Sequence, residues 1–233
     1  MKLAEPLIAG TLRQRYKRFL VDVELPTGPV LTAHCPNSGS MKGLLQTGSP
    51  VLLSKSANPK RKLAYTWELV QVKKNWVGVN TLNANRIVHE ALTNRQIPEL
   101  TEFDEIKKEA VWEKNCRFDF RLQNKRQSCF VEVKNVTLAE DGCARFPDAR
   151  TERGTKHLNH LMKVVAAGHR GVMCFLVQRA DCDRFQPAFD LDPVYSETLQ
   201  SAFQKGVEIL VYSTRISPPE IRLAGALEFE LLR

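Results

Sequence analysis

Turn signals recur so densely in the first eighty or so residues that only short strands fit between them. Pro26-Thr27-Gly28-Pro29, Thr47-Gly48-Ser49-Pro50, Asn58-Pro59 and Lys73-Lys74-Asn75 separate apolar segments at 7–25, 30–33, 51–53, 65–72 and 76–79. Residues 7–25 read as one long strand. Arg13, Arg15 and Lys17 share a parity with Phe19, Val21, Val23 and Leu25, and one half-buried face cannot be both basic and apolar. A bulge or sharp coil near Arg18 would reconcile the two. Five short strands of this kind predict a small, OB-like β-barrel over residues 1–81.

The pattern changes after Asn80. Helical periodicity is expected over 82–92, 151–167 and 192–205, and strands over 106–112, 117–122, 128–138, 172–177 and 207–212. In the second helix Leu158, Leu161, Met162 and Val165 form the apolar stripe. Strands alternating with helices predict an α/β unit with a mixed sheet over 82–233. No apolar run approaches the roughly 18 residues of a membrane span, and Glu5 and Pro6 interrupt the start where a secretion signal needs an apolar core. The six cysteines form no C-x-x-C pair, so free or buried thiols in a reducing cytoplasm are expected.

The net charge of +8 lies wholly in the first third. Residues 1–81 hold eight Lys and four Arg against four acidic residues, while 82–233 hold 22 basic and 22 acidic residues. Such an asymmetry points to a polyanion, and basic residues in strand-like sequence favour nucleic acid over a membrane surface, which calls for a basic amphipathic helix. Arg13, Arg15, Lys17, Arg18, Lys60, Arg61 and Lys62 are the candidate contacts. Charge alone is equally compatible with a basic protein that has no special partner.

The chemistry concentrates in Asp119, Glu132 and Lys134. In Cys129-Phe130-Val131-Glu132-Val133-Lys134, Glu132 and Lys134 share a face of the strand. If the preceding strand turns at 124–127, Asp119 falls directly opposite Glu132, where paired Cβ atoms stand about 5 Å apart. Two carboxylates so placed repel, and a divalent cation with oxygen ligands, magnesium or manganese, would relieve them. Lys134 would then orient a water or stabilise charge on a phosphate. A solvated face of acid and lysine is the plainer reading of the same alternation. Arg153, Lys156, His160 and Lys163 place a basic stripe on the second helix, as a phosphodiester substrate requires, and Glu90 on the first helix is a further candidate carboxylate.

Several blocks resemble one family. They are Arg15-Tyr16-Lys17-Arg18-Phe19-Leu20, His34-Cys35-Pro36-Asn37-Ser38-Gly39, Lys60-Arg61-Lys62, Thr66-Trp67-Glu68-Leu69 and 79–86. Glu132-Val133-Lys134-Asn135 with the residues to Ala139, Phe146-Pro147-Asp148-Ala149, Thr151-Glu152-Arg153-Gly154 and Lys156-His157-Leu158 continue them. The chain resembles the sugar fermentation stimulation protein A family over essentially its whole length. The resemblance implies an N-terminal OB-like domain, a C-terminal domain of restriction-endonuclease-like fold, DNA binding without strong sequence preference, and a link to regulation of sugar use, especially maltose. The nuclease fold carries a D…E-x-K motif, which maps onto Asp119, Glu132 and Lys134. Related nucleases add a helix glutamate, which matches Glu90. Arg117-Phe118 stand where the motif's usual proline would precede Asp119, and Asn135 replaces an expected serine.

Two functions are open at this point. A magnesium- or manganese-dependent nuclease would hold its metal at Asp119, Glu132 and Glu90. Arg153, Lys156 and His157 would then contact the phosphate backbone, and Trp67, Trp76 or Tyr65 would stack bases unless they are core residues. The alternative is a non-catalytic DNA-binding regulator with a vestigial nuclease core. The expected partner is DNA, single-stranded or branched, with RNA the weaker candidate. No membrane contact is expected, and nothing in the sequence sets the oligomeric state.

Overall fold

The computed structural model describes residues 1–114 and 116–231. Its first unit contains β1 (Leu7–Tyr16), β2 (Leu20–Glu24), β3 (Val30–His34), β4 (Pro50–Lys55), β5 (Tyr65–Val72) and β6 (Asn75–Gly78). β1 pairs antiparallel with β2 and β4, β2 with β3, and β4 with β5. The ring closes where His34 pairs parallel with Thr66. This is a five-stranded OB barrel, with β6 added alongside β5. Leu12, Val21, Val23, Val51, Leu53, Trp67 and Val77 fill it and are fully buried.

The expected single strand over 7–25 is two strands. Lys17 and Arg18 take positive φ of 46° and 65°, and the chain reverses there. Neither residue is the Gly or Asn that usually marks such a turn. The reversal removes the conflict of parity, and the one bulge in the pair falls between Leu12 and Gln14 rather than near Arg18. Trp67 donates its Nε1 hydrogen to the Leu69 carbonyl inside the core, which excludes it as a stacking surface. Trp76 and Tyr65 also pack against core clusters.

The second unit runs α1 (Leu82–Thr93), β7 (Glu105–Glu113), β8 (Cys116–Gln123), β9 (Ser128–Val136), β10 (Leu138–Glu140), β11 (Cys143–Phe146), α2 (Glu152–Ala166), β12 (Arg170–Val177), β13 (Arg184–Pro187), α3 (Pro193–Gln204), β14 (Glu208–Ser217), β15 (Glu220–Ala226) and β16 (Glu228–Phe229). The main sheet has the order β15-β14-β12-β9-β8-β7. It is parallel at its centre and antiparallel at both edges. α1 packs on one face, and α2 and α3 pack on the other. A small sheet, β10-β11-β13-β16, flanks it. Its strands are two to four residues long, too short to show a periodicity.

The barrel ends at Gly78 and α1 begins at Leu82. The first three residues depart from the expected division, because Met1 and Leu3 are buried in the α1 core. Leu3 N–H donates to the Pro219 carbonyl, and Ile221 N–H to that of Met1, so this segment extends the edge beside β15. The two units meet closely at Gly78, whose N–H donates to the Gln178 carbonyl at 2.9 Å. A Cβ at Gly78 would lie 2.2 Å from the Gln178 side-chain oxygen, so a larger residue there would have to displace that buried side chain. All six thiols are free and buried, and burial pushes Cys129 and Cys174 up to about 12. Among the described residues no helix is long and apolar enough to cross a membrane.

Candidate metal and nucleic-acid site

The turn between β8 and β9 is built by Asn124, whose Oδ1 accepts the N–H groups of Arg126 and Gln127. It sets the register Gln123↔Ser128 through Phe120↔Val131, as a turn at 124–127 requires. One more step would put Asp119 opposite Glu132, and there the ladder opens. Asp119 Oδ2 accepts the Val133 N–H at 2.8 Å in place of a main-chain partner. Phe118 and Phe120 would share a face of a regular strand, yet they lie in different core clusters, on the α2 and α1 sides of the sheet. Across on β7, Glu109 takes φ of 51°. β8 therefore twists over at Asp119, which brings its carboxylate into a cleft.

Glu132 is 3% exposed, so the solvated-face reading is excluded. Its Oε1 accepts from Lys134 Nζ at 2.6 Å and from His157 Nδ1. A carboxylate only accepts, so the proton between them belongs to His157. Lys134 Nζ lies 3.3 Å from the same ring nitrogen. Among the described residues Glu132 Oε2 is buried and meets no hydrogen-bond donor. Burial and then the Glu132 charge raise Asp119, against the Val133 N–H, Asn85 and Lys134. Burial also pushes Glu132 up, but His157 and Lys134 outweigh it and leave Glu132 lowered. Adjacent acids driven apart in this way are typical of working sites.

The cleft has a volume of about 390 Å³ and is lined by both units. The barrel contributes Asn37, Ser38 and Gly39, and the second unit adds Asn85, Asp119, Glu132, Lys134, Arg150 and Arg153. The barrel loop is docked by Asp148, whose Oδ2 accepts the Met41 N–H at 2.9 Å and whose carbonyl accepts from Ser40 Oγ. On α1 it is Asn85 that reaches the site, donating to Asp119 Oδ1 at 2.6 Å. Glu90, expected as a third carboxylate, is not there. Five residues further along α1 it faces elsewhere, and its Oε1 accepts from the Met1 amino group. Among the described residues no three His, Cys, Asp or Glu side chains come together as a closed cage.

The basic candidates divide. Arg13 is paired with Glu24. Arg15 holds the cleft loop, donating from Nη2 to the carbonyls of Asn37 and Gly39 at 2.7 and 3.0 Å. Arg61 is tied to Thr66 and His34. Each of these three expected contacts is thus engaged by partners within the protein, although the Arg13 side chain stays 47% exposed. Lys17, Arg18, Lys60, Lys62, Arg153 and Lys156 remain exposed. A second cavity, of about 480 Å³, shares Arg153 with the cleft and adds Lys156, His157 and His160. His157 belongs to the acid cluster rather than to the backbone contacts expected of it. α2 buries Gly154, Leu158, Leu161 and Val164, a stripe rotated from the expected one, and this turns His157 toward β9. Farther along the basic stripe, His160 and Lys163 face Glu113.

Asn85, Arg150 and the positioning role of His157 escaped the sequence reading. The signal for Asn85 was present in Asn80, Asn83 and Asn85. Asn is a poor helix former, and a helix that opens on several of them uses their side chains.

A family model described as "Sugar fermentation stimulation protein RE domain" matches residues 82–220, and an "SfsA N-terminal OB domain" model matches residues 14–79. A sugar fermentation stimulation protein homolog of Geobacter sulfurreducens is 53% identical over 227 residues, covering 97% of each chain. One of Geotalea uraniireducens is 50% identical over 231 residues, covering 99% of this chain and all of its own. The solved structure of Pyrococcus furiosus SfsA in complex with Ca2+ matches with a TM-score of 0.90 at 25% identity, covering 99% of each chain.

Proposed function

The chain belongs to the sugar fermentation stimulation protein family, and we propose that it hydrolyses DNA phosphodiester bonds at Asp119, Glu132 and Lys134 with one divalent cation. The observation that carries this reading is the free oxygen of Glu132. A buried anionic oxygen without a donor is unfavourable, and Glu132 Oε2 has none among the described residues. A cation held by Glu132 and Asp119 would remove that penalty, together with the repulsion that adds to burial in raising Asp119. Two carboxylates leave most of the coordination sphere to water and phosphate oxygens, which suits magnesium or manganese. The Pyrococcus furiosus relative was solved with Ca2+, an ion of the same oxygen-seeking kind.

When bound, such a cation makes a hydroxide available near neutral pH and offsets charge on the phosphate. This chain's residues do the rest. His157 and Lys134 hold Glu132 Oε1 and leave Oε2 free. Asn85 and the Val133 N–H fix both oxygens of Asp119. Lys134 supplies an ammonium that stabilises the extra negative charge at phosphorus. Arg150 and Arg153 at the cleft bind flanking phosphates. The exposed Lys17, Arg18, Lys60 and Lys62 add salt-dependent affinity without sequence preference.

Labelled single-stranded, duplex and branched DNA distinguish the two functions. Wild type is expected to give products with Mg2+ or Mn2+ and none in EDTA, and Glu132→Gln to bind the same DNA without cutting it. Binding of all three substrates by wild type with no product in either metal would identify a non-catalytic DNA-binding regulator.

A further inference from the structure

One end of the barrel carries an exposed aromatic ring among cations, and the cleft does not account for it. Tyr16 pairs with Leu20, so the turn from β1 to β2 consists of Lys17, Arg18 and Phe19. Phe19 is 45% exposed in that turn. Its ring lies over that of His34, with centroids 6.5 Å apart and planes 24° from parallel. His34 is itself fixed, with Nδ1 2.9 Å from Arg61 Nη2, and Arg61 also donates to Thr66 Oγ1 at 2.8 Å. Burial and then the Arg61 charge lower His34, so at neutral pH it is an uncharged ring behind Phe19.

Two further observations join this ring to the rest of the molecule. Lys17 and Arg18 both take left-handed φ, where glycine or asparagine would be at ease. Strain of that kind is retained where side chains have work to do, and here it places two cations beside the ring. Arg15 then links the turn to the cleft. Its Nε donates to the Arg18 carbonyl at 3.0 Å, and its Nη2 donates to the carbonyls of Asn37 and Gly39, which line the cleft.

We propose that Phe19, backed by His34 and flanked by Lys17 and Arg18, is a stacking site for an unpaired DNA base, one that leads a single strand into the cleft. The inference rests on the nucleic-acid reading above. An aromatic face accepts any base, and the cations neutralise the phosphates on either side of it. A duplex keeps its bases stacked on one another and offers no such face, so the site selects unpaired DNA.

Fluorescence anisotropy in EDTA, where nothing is cut, tests this with three labelled ligands of about twenty nucleotides. They are oligo-dT, a duplex, and an abasic strand with the same phosphates and no bases. Phe19→Ala is expected to weaken oligo-dT binding roughly tenfold while changing duplex and abasic binding by less than about twofold, and Phe19→Trp to keep wild-type affinity. The double variant K17G/R18G is expected to melt no lower than wild type and to bind all three ligands more weakly. Unchanged oligo-dT binding by Phe19→Ala, an equal loss on the abasic strand, or K17G/R18G binding as tightly as wild type would each overturn the stacking site and leave the cleft reading standing. Failure of wild type to bind any of the three would overturn both.

Discussion

Glu68→Ala is expected to destabilise the protein by about 3–5 kcal/mol, a large share of the stability of an ordinary domain. Glu68 sits on β5 and is 6% exposed. Its Oε1 accepts from Ser54 Oγ at 2.6 Å, and its Oε2 accepts from the side-chain amides of Asn80 and Asn83, both at 2.8 Å. Alanine would leave three buried donors without an acceptor and a cavity where the carboxylate stood. The network also joins the units. Asn80 Oδ1 accepts the Leu82 N–H, and Asn83 is the second residue of α1, ahead of Asn85 at the site. Thermal melting reads the effect as a fall of about 10 °C for a chain of this length. A variant within about 2 °C of wild type would show that the barrel and α1 are held by other means.

Lys134→Ala is expected to act on stability and on cleavage, and metal separates the two effects. The Lys134 and Glu132 side chains are 14% and 4% exposed, so removing the ammonium leaves a buried carboxylate with only His157. In EDTA this should lower stability by about 2–4 kcal/mol. Without Lys134 the two acids are a more anionic site, so millimolar Mg2+ should raise the melting temperature of the variant by more than that of wild type. Cleavage should stay about 10²–10³-fold below wild type even with metal present, because the ammonium that adds to the metal in offsetting charge at phosphorus is gone. A variant that melts with wild type in EDTA, or one that cuts at the wild-type rate in Mg2+, would remove Lys134 from the account.

The parts of the site that follow from strand geometry were legible in the sequence. Alternation put Glu132 and Lys134 on one face, and a turn at Asn124 set the register that brings Asp119 to them. The twist at Asp119 was not legible, since the chain around it reads as an ordinary strand. Burial of the acid–lysine pair was also out of reach, because alternation alone fits a solvated face as well. Glu90 failed for a different reason. How a helix rotates on a sheet is decided by tertiary packing, and the face of α1 that meets Asp119 carries Asn85. His157 was misassigned on the same ground, through a small rotation of α2. Charge was readable as a total and not as a surface. Of the basic residues in the barrel, Arg13, Arg15 and Arg61 are bound within it, while Lys17 and Arg18 form a turn with no glycine or asparagine to announce it.

The proposed cation site at Asp119 and Glu132 is the central claim, and calorimetric titration of Mg2+ into metal-free wild type and Asp119→Asn addresses it most directly. Wild type is expected to bind one ion, more weakly as pH falls because Asp119, whose carboxyl is raised, must lose its proton first. Asp119→Asn is expected to bind none. No binding by wild type, or the same binding by the variant, would contradict a metal site at this cluster.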